Sequence, residues 1–205
     1  MNNNAELPRT LVVAALRAEL AGVFEAAHIP VLYCGVGKVN AAIALTRDLA
    51  RYALLGASMP LVLNFGSAGS RRFAAGTLVA CHQFVQRDMS VSALGFAPGV
   101  TPYDEAPPCL TFEPLFKQLP PAVCGSADSF ATGATDLDCA VADRHCDVVD
   151  MEAYALAKVC WAEHAAFACA KYVSDGADHT AATDWQSNVH RAADEFLRLY
   201  LSVVR

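Results

Sequence analysis

A chain of 205 residues, 55% hydrophobic and 18% charged, has enough apolar surface for one substantial core and lacks the composition of a disordered segment. Its formal charge of −6 leaves no basic footprint for a nucleic-acid partner. No basic stretch followed by an apolar one opens the chain, and no apolar run reaches membrane-span length, so a cytoplasmic protein without membrane attachment is expected. Eight cysteines with no CxxC pair predict reduced, mostly buried thiols rather than a disulfide framework.

Residues 1–9 read as a flexible tail. Residues 11–16 form a continuous apolar run, the pattern of a strand buried on both faces. Residues 17–27 then read as one helix, 31–34 as a strand and 38–53 as a helix with Ala, Leu and Ile on one side. A third strand at 61–63 ends in Asn64-Phe65-Gly66-Ser67-Ala68-Gly69, and 77–84 supplies another. Residues 95–121 hold seven prolines and read as a long excursion with a short helix at 112–118. A strand at 147–149 leads into a helix at 151–164, with Ala153, Leu156, Ala157 and Cys160 as its apolar stripe. Residues 167–173 form the next strand. The last helix opens at Thr183, where Thr183 and Gln186 fit a capping box, and buries Trp185, Val189, Ala193, Phe196 and Tyr200.

This alternation predicts an α/β fold. It is a single domain spanning 1–205, with three α/β/α layers around a mixed, mainly parallel twisted sheet. Ligands of such sheets sit beyond the carboxyl ends of the strands. Glu19, Ser67, Glu152 and Asp175 each follow a predicted strand, so three carboxylates and a hydroxyl converge on one edge.

Several motifs fail their tests. Gly35-Val36-Gly37-Lys38 has Val39 where a P-loop needs Ser or Thr, and Asn40 where a dinucleotide fingerprint needs Gly. Ser67 follows Phe65-Gly66, and a nucleophile elbow wants Gly in place of Phe65. The six histidines show no HExxH and no zinc spacing, so neither a metal nor another cofactor is expected.

Asn64-Phe65-Gly66-Ser67-Ala68-Gly69, Val149-Asp150-Met151-Glu152-Ala153 and Val173-Ser174-Asp175-Gly176-Ala177-Asp178 occur in that order. With the early turn Gly35-Val36-Gly37-Lys38-Val39-Asn40-Ala41-Ala42, they resemble the nucleoside phosphorylase/nucleosidase superfamily. The nearest likeness is to the 5′-methylthioadenosine/S-adenosylhomocysteine nucleosidases, and it runs from about residue 11 to the end. The resemblance implies hydrolysis of the N-glycosidic bond of a purine nucleoside. That reaction builds positive charge on the sugar and negative charge on the base, which carboxyl groups can serve.

By resemblance, Asp175 delivers a proton to N7 of the base, Glu152 grips the ribose hydroxyls and Glu19 holds the attacking water. Ser67, Ala68 and Gly69 let the backbone approach the ligand. Met151 packs on the sugar, and Ser174 accompanies Asp175. The loop at 129–138 implies that Phe130 or Leu137 covers the purine face. Each residue also has a plainer reading. Asp175 could cap a turn, Met151 could be core, and Glu19 could be a surface helical residue. Glu152 could complement a helix dipole, an effect of about 0.3–1 kcal/mol.

Phosphorylase relatives carry an Arg where this chain has Asn64, and a Gly-Asp-Pro-x-Arg segment that is absent here. Water is therefore the expected acceptor. A phosphate-using phosphorylase and a non-catalytic nucleoside-binding homologue are the alternatives. The resemblance further implies a homodimer in which Val91, Leu94 and Pro102 form a wall of the partner's site.

Overall fold

The computed structural model describes residues 7–133 and 145–204. Strand β1 (Thr10–Ala14) is buried from Leu11 onward, as a continuous apolar run requires. The single helix expected at 17–27 is instead two isolated turns, α1 (Arg17–Leu20) and α2 (Val23–Ala26). Ala21 and Gly22 between them adopt left-handed backbone, with φ of 47° and 76°, which a right-handed helix cannot contain.

Next come β2 (Val31–Tyr33) and α3 (Lys38–Leu54), which buries Ala41, Leu45, Leu49 and Tyr52 at helical spacing. Strand β3 (Leu61–Gly69) is longer than expected, because the Asn64–Gly69 motif continues the strand rather than turning out of it. Strand β4 (Leu78–Gln86) follows.

In the Pro-rich stretch, residues 112–118 are not helical. Pro114 breaks the segment, and burial of Phe116 against Phe65, ring centroids 6.0 Å apart, anchors it instead. A 3-10 turn at Ser92–Leu94 precedes the stretch, and the short β5 (Cys109–Thr111) lies within it. The sequence reading missed β6 (Pro121–Ser126), whose six residues open with a proline.

The chain ends with β7 (Val148–Asp150), α4 (Ala153–Ala162), β8 (Phe167–Asp175), α5 (Ala181–Asn188) and α6 (Ala193–Val204). The expected Thr183 capping box is not formed. Helix α5 starts two residues earlier, and just ahead of it Thr180 Oγ1 stands 2.8 Å from both Asp178 Oδ1 and Asp184 Oδ2. The stripe on α4 is as expected, with Ala153, Leu156, Ala157 and Cys160 fully buried.

Parallel pairs join β1 to β2, β1 to β3, β3 to β8, β4 to β6 and β6 to β7. Antiparallel pairs join β4 to β5 and β8, and β7 to β3 through Gly69 and Val149. The sheet is thus mixed and mainly parallel, and β3, β8, β4, β6 and β7 close into a ring. Apolar cores lie on both faces. One packs α3 and α4 against the sheet. The other gathers Leu20, Phe24, Phe116, Phe196 and Leu199, with Phe65 and Phe196 stacked at 5.1 Å.

Ahead of β1, Pro8 and Arg9 are tied down by the Tyr52 hydroxyl and the Leu61 amide. Among the described residues no helix is long and apolar enough to cross a membrane. The expectation of reduced thiols holds for six cysteines. It fails at Cys146, which is disulfide-bonded. Spacing alone does not reveal such a pair.

Candidate active site

A cavity of about 330 Å³ opens at the carboxyl ends of β1, β3, β7 and β8, within the size range of small-molecule sites. Glu19, Ser67, Glu152 and Asp175 all line it, as the strand-end rule requires.

Glu19 is 5% exposed, which removes the surface-helix reading. Its carboxylate reaches back over α1. Oε2 accepts the Ala15 and Leu16 amides at 3.0 Å each. Oε1 accepts the Ser67 amide at 2.8 Å and the Ser67 hydroxyl at 3.0 Å. Glycine is needed beneath it, since a Cβ on Gly66 would stand 2.9 Å from Glu19 Oε1.

Glu152 occupies the N-cap position of α4 but does not cap it. Its Oε1 accepts the Gly37 amide at 2.8 Å across the cavity, and the side chain is buried. Burial first, then the neighbouring Asp150 charge, push its carboxyl up to about 8, against the pull of Lys171 and the Gly37 amide. The same Gly-Lys turn fixes the opposite wall. The Lys38 amide donates to Asp128 at 2.7 Å, and its ammonium bridges Asp88 and Asp128. That anchor lies beside Ser129 and Phe130 of the cavity wall.

Asp175 is the last residue of β8, beyond a β-bulge. Ala68 pairs with Val173 and Gly69 with Asp175, so Ser174 is the extra residue. Bulges beside active sites re-aim side chains in this way. Asp175 Oδ2 accepts the Ser174 hydroxyl at 2.8 Å, and Oδ1 accepts the Ala177 amide at 2.9 Å. Burial raises its carboxyl above the usual range despite these bonds, and Asp184 and Asp178 add to the rise.

Ala68, Gly69, Met151, Ser174 and Phe130 also line the cavity. Leu137 lies outside the described residues. Val91, Leu94 and Pro102 are not on the cavity of their own chain, and Leu94 is 72% exposed. Asn64 is turned away from the cavity, donating to the Val13 carbonyl and accepting from Cys169 Sγ in the core.

Three features escaped the sequence reading. Beneath the site Lys171 and Asp150 form an ion pair at 2.8 Å, each side chain 2% exposed. Burial works to lower Lys171, but Asp150 outweighs it and raises the ammonium; in turn Lys171 holds Asp150 below the usual carboxylate range despite burial. The signal was a lysine inside an otherwise apolar buried strand, which demands a counter-ion. Arg87 lines the cavity and donates to the Ser129 carbonyl, with no motif to announce it. Trp185, expected in the core, lines the cavity and donates to Ser67 Oγ at 3.0 Å.

A family model described as the phosphorylase superfamily matches residues 17–205. Over 217 aligned positions the chain is 30% identical to the 5′-methylthioadenosine/S-adenosylhomocysteine nucleosidase of Haemophilus influenzae strain PittEE, covering 99% of this chain and 91% of that protein. Among solved structures it matches the corresponding Helicobacter pylori nucleosidase with a TM-score of 0.81 at 21% identity, covering 95% and 97% of the two chains. It also matches Helicobacter pylori futalosine hydrolase, with a TM-score of 0.79 at 20% identity and coverage of 94% and 97%. These two structural likenesses concern the fold.

Proposed function

The chain belongs to the phosphorylase superfamily, and from that premise we propose that it hydrolyses the N-glycosidic bond of a purine nucleoside, 5′-methylthioadenosine or S-adenosylhomocysteine, releasing adenine and the ribose moiety. The observation that carries this reading is the meeting of Glu19, Glu152 and Asp175 on one cavity. The kinship with nucleosidases at 30% identity supports the substrate class.

In the proposed reaction the bond between ribose C1′ and purine N9 breaks, and its electron pair leaves with the base. Asp175, whose buried carboxyl keeps its proton to higher pH than usual, gives that proton to N7. Glu152 accepts the ribose 2′- and 3′-hydroxyls, bonds that strengthen as the sugar becomes cationic. A water attacks C1′, and its proton passes to Glu19. Met151 packs on the sugar and Phe130 on the purine face. Phosphate as acceptor is disfavoured because Asn64, where phosphorylases carry Arg, faces the core.

We further propose a cytoplasmic, homodimeric enzyme of purine salvage. Val91, Leu94 and Pro102 complete the partner's site, a role consistent with the exposure of Leu94. The test is incubation with a panel of purine nucleosides, futalosine included, with and without phosphate. Free adenine and a free ribose product, at a rate indifferent to phosphate, are expected. A ribose 1-phosphate product would overturn the choice of water.

A further inference from the structure

The Ser67 hydroxyl stands between two groups that cannot exchange roles. On one side is Glu19 Oε1 at 3.0 Å, and on the other Trp185 Nε1 at 3.0 Å. An indole N–H only donates, and an ionised carboxylate only accepts. The Ser67 oxygen therefore accepts from Trp185, and its single proton is directed to Glu19. The Ser67, Ala15 and Leu16 amides also donate to this carboxylate, which makes four donors in all. Three of the four donors are backbone groups. The fourth is a hydroxyl free to rotate, and the indole N–H on its oxygen holds its proton toward Glu19.

Trp185 belongs to α5, which reaches the site from 118 positions further along the chain. A second tie holds that helix, since Asn188 Nδ2 donates to the Ser174 carbonyl at 2.8 Å, beside Asp175.

We propose that Trp185 is a positioning residue for Glu19: through Ser67 it aims the carboxylate at the cavity, so that α5 governs the group that receives the water's proton. This role rests on the hydrolase reading above. Misdirection of a reacting group lowers the rate of the bound complex more than it lowers binding.

The experiment is a double-mutant cycle on kcat and KM with W185F, which keeps an aromatic ring and removes the donor, and S67A. We expect W185F to lower kcat about tenfold, the worth of one hydrogen bond, with KM changed less than about threefold. In the S67A background the same replacement is expected to cost less than about twofold. Equal losses in both backgrounds, or a loss in KM alone, would make Trp185 a packing wall and overturn the proposal.

A second measurement does not depend on activity. The chain has two tryptophans, and Trp161 lies on the outside of α4. In ¹⁵N-labelled W161F protein the one remaining indole N–H signal is expected to move upfield and exchange faster with solvent when S67A is added. S67C serves in its place if S67A does not fold. An unmoved signal overturns the relay whatever the substrate. A wild-type enzyme that cleaves no nucleoside, together with a moved signal, would instead refute the hydrolase reading and leave the hydrogen-bond relay standing.

Discussion

At the scale of single residues, the site sets three carboxyl groups in three different environments. Asp175 has the environment of an acid, buried at a strand end with two donors on its oxygens. D175N keeps the shape and loses the transferable proton. Its kcat is expected to fall by about 10²–10⁴, the usual share of general acid catalysis, with a smaller change in KM. Near-normal turnover would remove Asp175 from the role.

Glu152 makes a prediction about pH. Its carboxyl is raised to about 8 in the folded protein, from an ordinary 4.5. Folding therefore binds a proton between those values. The stabilisation is complete below about pH 4.5 and is lost as pH rises through about 8. E152Q should flatten that part of a stability–pH curve measured by urea unfolding from pH 5 to 9. An unchanged slope would show that Glu152 does not carry the proton. If Glu152 also holds the sugar, E152Q should slow ribosides more than 2′-deoxyribosides. These carboxylates were legible because each lies at or just beyond the carboxyl end of a strand. Trp185 and Lys171 were not, because their partners Ser67 and Asp150 are known only once separate strands are paired.

At the scale of elements, the sequence reading found most strands and the two long central helices, whose periodic burial α3 and α4 display. It failed where tertiary demands overrode local pattern. The helix at 17–27 breaks at a left-handed pair that no composition rule flags. The segment 112–118 gives up helix to bury Phe116. Extending β3 and β8 to Gly69 and Asp175 makes the active-site motifs part of the sheet itself. That extension depends on a missing side chain. A Cβ on Gly69 would lie 2.7 Å from Asp175 Oδ1 and 3.0 Å from Ala177 Cβ. G69A should therefore displace Asp175. The expected result is a kcat loss approaching that of D175N, with about 1–3 kcal/mol of lost stability from overpacking, read by steady-state kinetics and thermal unfolding. Wild-type kinetics in G69A would mean that the close approach is not required for catalysis.

At the scale of the whole molecule, the outer surface carries apolar side chains that a lone chain leaves in water. Leu94 is 72% exposed, Tyr103 99% and Val39 67%. Such groups mark interfaces when they gather, and a two-fold dimer is the commonest closed solution. If Leu94 forms part of a partner's site, as proposed, L94D is expected to shift the protein toward monomer in light scattering and to raise KM. A fully active wild-type monomer would refute the shared site. The sheet ring has a consequence for how the enzyme comes into being. Asn64 on β3 bonds Cys169 on β8, 105 positions away. Pairings so distant in sequence are slow to form. A chain leaving the ribosome can assemble β1, β2 and α3 early, but the strand that carries Asp175 is made after all the other described strands. It has to enter between β3 and β4, both already synthesised. The candidate site is thus complete only when the ring closes, and a nascent or nicked chain that has folded everything before β8 has a hole where Asp175 should be.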